Sequence, residues 1–286
     1  MNYIILDLEW DGAYYPKIKR FINQILQIGA VKLNDNFDIV DTFERTIKSS
    51  FSNRVSKRFT ELTGITKEDM LSGIPLESAI NEYNDWVGEN AVTMTWSNSD
   101  IYTVIENQNN LVEVNFKIEK YLDLQKFIQG EMRIRCIEVT SQISLINAAN
   151  ALGVNIDETV LHNAKADSAA CAAILKECYN EERFSALIVD TNNPMFFKRF
   201  TFKPYYICDI DDENIDKSAF LFVCDNCKTS LKLKGKWRTH NCGFFADMIC
   251  ENCQKKYSAR VRFKKTFDTV KINRRLIEKK AKENDM

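Results

Sequence analysis

At 286 residues, with 45% hydrophobic and 28% charged side chains, the chain has the make-up of a globular protein with one large domain and a smaller appendage, not of a disordered or fibrous one. Nine Gly and four Pro argue against a long disordered linker, and no apolar run reaches signal-peptide or membrane-spanning length, so a cytoplasmic protein without a membrane partner is expected. The net charge of −1 conceals an asymmetry, 20 Lys+Arg against 28 Asp+Glu in residues 1–200 and 19 against 12 in residues 201–286; a basic end of this kind suits a polyanion or a solvated surface.

The first predicted element is the strand Tyr3-Ile4-Ile5-Leu6-Asp7-Leu8-Glu9-Trp10. Alternation puts Asp7 and Glu9 on one face and Leu8 on the other. Two neighbouring carboxylates at the end of a core strand are either a solvated strand end or half of a divalent-cation site, because unpaired they repel and lose hydration. Residues 11–23 form a mixed, aromatic connection. Ile25 to Leu33 is a second strand and Phe37 to Ile47 a third, joined by the polar turn Asn34-Asp35-Asn36 into an antiparallel meander. Helices are expected over about 53–62, stopped by Thr63-Gly64-Ile65-Thr66, and over about 76–87. Ala91 to Trp96 is a fourth strand, and Ser97-Asn98-Ser99-Asp100 supplies capping chemistry that sets Asp100 at a strand-to-helix junction. A short fifth strand at Lys120 to Leu124 precedes helices from about Gln125, over Ser141 to Leu152, and over about 165–180. The order predicts an α/β fold with a central, mixed, five-stranded sheet flanked by helices.

If strands one and four are neighbours, Asp7, Glu9 and Asp100 meet at one sheet edge, and Asp167 lies early in a late helix. His162 stands five residues before Asp167, so convergence requires it in the loop ahead of the helix, with Asn163 as a plausible cap.

Together these stretches resemble the DEDD superfamily of 3′-to-5′ exonucleases, in the branch with a histidine in its third motif. Asp7-Leu8-Glu9 matches the first motif and Ile25 to Val31 its supporting strand. Thr63-Gly64-Ile65 is similar to the connecting segment, Thr95 to Asp100 matches the second motif with Tyr121 to Gln125 following, and His162 to Asp167 matches the third. The resemblance covers residues 1–182 and is nearest to ERI-1-like RNA exonucleases and the KapD type. Gln24 and Lys165 depart from residues frequent in relatives, and neither replaces a ligand. The resemblance implies a ribonuclease-H-like fold and hydrolysis on two Mg²⁺ or Mn²⁺, held by Asp7, Glu9, Asp100 and Asp167, with His162 as the general base. Oxygen donors without a thiol suit those hard cations. The expected partner is single-stranded nucleic acid, RNA favoured over DNA. A non-catalytic nucleic-acid-binding or regulatory protein on the same fold and a DNA proofreading or repair exonuclease remain as alternatives, and Asn98 is a candidate contact to the terminal nucleotide.

Residues 183–219 read as a connecting segment whose aromatic, basic run Phe196 to Phe202 serves either packing or a platform for bases. Residues 220–286 read as a small β-rich module ending in a charged helix from about Lys271. Cys224-x-x-Cys227 and Cys250-x-x-Cys253 have the spacing of a zinc ribbon that holds one structural Zn²⁺ through four thiolates, with His240 or Cys242 as possible substitutes. Lys234, Lys236, Trp237, Arg238, Lys255, Lys256 and Arg260 interleave cations with aromatics, as a nucleic-acid surface does, protein docking being the competing use. Oligomeric state is not legible in the sequence.

Overall fold

The computed structural model describes residues 2–139, 142–157, 159 and 161–279, and divides into two units, Met1–Phe200 and Thr201–Met286. In the first, β1 (Asn2–Tyr15), β2 (Arg20–Leu33) and β3 (Ile39–Lys48) pair antiparallel in succession, with Gly29 of β2 facing Asp7 on one side and Glu44 on the other. A two-residue strand β4 (Ile74–Pro75) joins the edge of β3. The fully buried β5 (Ala91–Thr95) runs parallel to β1 from Asn2↔Ala91 to Ile5↔Met94, and β6 (Lys120–Asp123) runs parallel to β5. A second dipeptide strand, β7 (Val189–Asp190), closes a seven-stranded sheet of order β4-β3-β2-β1-β5-β6-β7. The five long strands are those expected from sequence; the two added edges are too short to leave an alternation pattern.

Helices cover both faces because β1 is apolar on both. Ile4, Leu6 and Leu8 pack with Ile80 and Tyr83 of α3 (Leu76–Val87) and with Ile101 and Val104 of α4 (Ser99–Asn110). Ile5 packs on the other side with Phe127 of α5 (Leu124–Ile134), Ala148 of α6 (Leu145–Leu152), and Ile174 and Leu175 of α7 (Ala164–Cys178). The helix expected over 53–62 is α1 (Lys57–Thr63), which starts later because the extended Ser56 caps it, accepting the Phe59 N–H. The following α2 (Lys67–Ser72), a single capped turn and a half, is absent from the sequence reading. The helix expected from Ser141 begins at Leu145 in the described residues, capped by Ser144; Thr140 and Ser141 lie outside them.

The connecting segment expected over 183–219 is not a linker. Arg183 lies in α8 (Glu181–Ser185), and α9 (Pro194–Thr201) lays Phe196 and Phe200 on Tyr121, so this stretch belongs to the first core. In the second unit, β8 (Tyr205–Tyr206) pairs with β11 (Lys256–Lys265), and the sheet order is β12-β11-β10-β9, with β9 at Lys232–His240, β10 at Gly243–Ile249 and β12 at Val270–Glu278. Its core of Phe244, Tyr257, Val261 and Phe263 includes Ile207 and Ile215, which places 201–219 in this unit as well. The charged helix expected from Lys271 is instead β12, held in register with β11 from Lys265↔Val270 to Tyr257↔Glu278. Its inner positions are mixed, so its charges mask a strand alternation. Among the described residues no helix is long and apolar enough to cross a membrane.

Candidate functional site

The pairing of β1 with β5 ends at Ile5↔Met94, so beyond that point β1 has backbone donors on an open edge at the carboxyl ends of two parallel strands. Asp100, in the first turn of α4, fills that gap: its Oδ1 accepts the Leu8 N–H at 3.0 Å, and only 3% of the residue is exposed. Asp7 and Glu9, flanking Leu8, project from the opposite face of the strand, on the side covered by α7.

Helix α7 is brought to this edge by three local features. Asn163 caps it by accepting the Ala166 N–H at 3.1 Å and donates to Glu44 Oε1 at 2.9 Å. Gln27 Oε1 accepts the Ala164 N–H at 3.1 Å, and Lys165 pairs with Glu44 at 2.5 Å. Gly29 lets the backbones touch: a Cβ there would lie 2.3 Å from Ala164 C and Lys165 N. The helix N-terminus, where its dipole favours an anion, thus puts Asp167 beside β1. His162 sits in the loop ahead of α7, exposed and with φ 67, and its backbone N–H donates to Asp167 Oδ1 at 3.3 Å.

Asp7, Glu9 and Asp167 each offer an oxygen, all within 4.8 Å of one another. Asp100 is outside that triad but within its electrostatic reach. Burial first, then the charges of Asp100, Asp167 and Glu9, drives the Asp7 carboxyl well above the carboxylate range. Burial, with Asp167 and Asp100, pushes Glu9 up to about 8. Asp100 is pushed up to about 7 by burial, against the lowering effect of the Leu8 hydrogen bond, and Asp167 is raised by burial against the His162 N–H. Four acids pushed upward by burial, and by one another's charge, are a donor set that a divalent cation would satisfy. All the donors are oxygens, which fits Mg²⁺ or Mn²⁺.

The four cysteines of the second unit also converge. Sγ separations are 3.5 Å for Cys224 and Cys253, 3.3 Å for Cys227 and Cys250, and 3.9 Å for Cys227 and Cys253. A tetrahedral Zn²⁺ with Zn–S of about 2.3 Å requires sulfurs roughly 3.8 Å apart. Both pairs lie on matching turns, closed by Lys228 N–H to Cys224 O at 3.0 Å and Gln254 N–H to Cys250 O at 2.9 Å, with φ 60 at Lys228 and Gln254. The Thr229 hydroxyl contacts the Cys227 and Cys250 sulfurs, and the Cys227 thiol is lowered to about 5, Thr229 being the largest cause. His240 and Cys242 stand apart at the β9–β10 turn, where Cys242 instead faces Cys208.

The expected nucleic-acid contacts are dispersed. Asn98 accepts the Tyr121 hydroxyl at 2.9 Å beside a cavity of about 280 Å³ lined also by Lys126 and Phe200. Trp237, partly buried, packs tilted against Phe220 at 4.7 Å along the core, so its ring is not a free platform. Lys255 is paired with Glu278 at 2.9 Å and Arg238 with Asp247 at 3.9 Å, while Lys234, Lys236 and Lys256 are exposed. Arg260 covers Phe245 at 4.8 Å. Gly29, Gln27 and Glu44 were not singled out from sequence; a glycine inside a strand was the available signal for the first.

The sequence profile of the exonuclease family RNase_T matches residues 4–175. A 91-residue stretch, 31% of this chain, is 32% identical to the DNA polymerase III PolC-type of Staphylococcus aureus (strain bovine RF122 / ET3-1), and it spans only 6% of that protein. The crystal structure of cell-death related nuclease 4 (CRN-4) superposes with a TM-score of 0.52 at 17% identity, over 61% of this chain and 62% of that one. The nuclease domain of 3′hExo, a DEDDh family member bound to rAMP, superposes with a TM-score of 0.50 at 22% identity, over 61% of this chain and 90% of that one. At these identities the two superpositions speak for the fold.

Proposed function

The chain belongs to the exonuclease family RNase_T, and from that premise we propose that it is a metal-dependent 3′-to-5′ exonuclease of the histidine-containing branch, trimming single-stranded nucleic acid, RNA before DNA. The observation that carries this reading is the convergence of Asp7, Glu9 and Asp167 oxygens within 4.8 Å beside the buried Asp100 and the His162 loop. Asp7, Glu9, Asp100 and Asp167 would hold two Mg²⁺ or Mn²⁺, whose charge stabilises the attacking and leaving oxygens of phosphodiester hydrolysis. His162 accepts the proton of the attacking water; its imidazole, exposed on a left-handed turn, is open to solvent, to which it can pass that proton on. The Asp167–His162 backbone link fixes the base relative to the acids. The cysteine tetrad would hold one structural Zn²⁺ that ties the two turns of the second unit together.

RNA is favoured because a similar nuclease domain takes rAMP. A DNA substrate is the second reading, favoured by the likeness to the DNA polymerase III PolC-type. Linear single strands labelled at the 5′ end, and covalently closed circles of the same sequence, separate these possibilities when made as RNA and as DNA. Shortening of the linear strands from the 3′ end with circles intact is expected, faster for RNA. Cutting of circles would remove the exonuclease reading, and faster loss of DNA would reverse the substrate.

A further inference from the structure

The outer face of the second unit's sheet carries a cationic array for which the active site has no use. On β11 the odd residues Tyr257, Ala259, Val261 and Phe263 are buried, so Arg260, Arg262 and Lys264 point to the other face. Register places Arg260 directly opposite Arg275 of β12 and Lys264 directly opposite Lys271. Like charges opposed across a ladder destabilise a sheet. None of these five cations makes an ion pair with a carboxylate among the described residues, in contrast to Lys255 and Arg238 of the same unit. Among the described residues the Nε atoms of Arg260 and Arg262 are buried donors without a partner, while Arg262 Nη2 donates to the Asn241 carbonyl at 3.1 Å. Together with Tyr206 the five line a cavity of about 410 Å³ that contains no acid. The arrangement is that of a site whose counter-charge comes from outside.

We propose that this face binds the backbone of single-stranded nucleic acid, and for the identity of its ligand this inference rests on the exonuclease reading of the chain. Arg260 and Lys264 are ~13 Å apart along β11, at about 3.3 Å per residue, and Arg275 and Lys271 repeat the spacing on β12, so the charges form a track instead of one anion pocket. Tyr206 is 41% exposed, with Arg262 and Lys264 within 5.9 and 5.8 Å of its ring, which sets an aromatic face beside the track for an unpaired base to stack on. A duplex hides its base faces from such a platform.

The test uses the full chain carrying Asp7→Asn, in buffer without added Mg²⁺ or Mn²⁺ so that zinc on the cysteine tetrad is kept, and binding of a fluorescent single-stranded RNA oligonucleotide is read without cleavage. Adding Lys264→Gln and Lys271→Gln should weaken binding about tenfold and flatten the slope of log K against log salt by roughly 1.4, at about 0.7 per phosphate contact. Because the double substitution removes a like-charge pair, the thermal midpoint should hold or rise, and Tyr206→Ala should weaken binding without altering that slope. Unchanged affinity in the double variant, or stronger competition by polyglutamate than by unlabelled oligonucleotide, would overturn the inference. Trimming by the wild type with binding indifferent to the lysines removes this inference alone; lysine-dependent binding without trimming removes the exonuclease reading and leaves the surface.

Discussion

Asp167 reaches the first strand because position 29 has no side chain. Gly29→Ala would drive a Cβ to 2.3 Å from the backbone of Ala164 and Lys165, and neither can yield without moving the start of α7. The expected outcome is a loss of about 3 kcal/mol in a denaturant melt, at the upper end of overpacking costs, together with loss of nuclease activity as Asp167 withdraws. The carboxyls also make a pH prediction. Without metal, Glu9 moves from an ordinary 4.5 to about 8 and Asp100 from 3.8 to about 7, so between pH 4 and 8 the folded chain binds more protons than the unfolded one. Stability in chelator should therefore be greatest at or below about pH 4, as far as these groups are concerned, and should fall as pH rises toward 8. Mg²⁺ or Mn²⁺ should restore the thermal midpoint most at the alkaline end; a chelated protein that melts independently of pH in this window would show that the acids do not repel as described. At this scale, alternation made Asp7, Leu8 and Glu9 legible in the sequence. The partners that aim Asp167 were not legible, since the contacts of Gln27 and Glu44 with α7 span more than 100 residues and leave no local pattern.

Among the elements, long strands announced themselves and short ones did not. Five strands and the helix over 76–87 follow from apolar periodicity, whereas β4 and β7 are dipeptides defined by their neighbours and β12 shows more charge than alternation. Helix α8 illustrates how a brief element is retained: Arg183 forks onto both Glu131 oxygens at 2.5 and 2.6 Å, while the Glu131 side chain is only 4% exposed. Arg183→Ala leaves that carboxylate buried and unpaired. Its thermal midpoint should fall clearly further than that of Lys57→Ala, which breaks an exposed pair with Glu61. Equal midpoints for the two variants would mean that the α8 clamp contributes nothing.

For the molecule as a whole, the acidic excess read from composition lies in the unit Met1–Phe200 and the basic excess in the unit Thr201–Met286. The sequence indicated a β-rich module around the cysteine turns but not its individual strands, because basic residues interrupt their alternation. Cys224→Ser and Cys250→Ser should each reduce bound zinc from one per chain to well below it and lower the melting of the second unit; full zinc content in both variants would reject the tetrad. The two-cation acid cluster is tested most directly by following 5′-labelled single-stranded RNA with Mg²⁺ or Mn²⁺, wild type against Asp7→Asn. A ladder shortening from the 3′ end, abolished both by chelator and by the substitution, is the result expected. Intact RNA under every metal with the wild type, or undiminished trimming by Asp7→Asn, would contradict it.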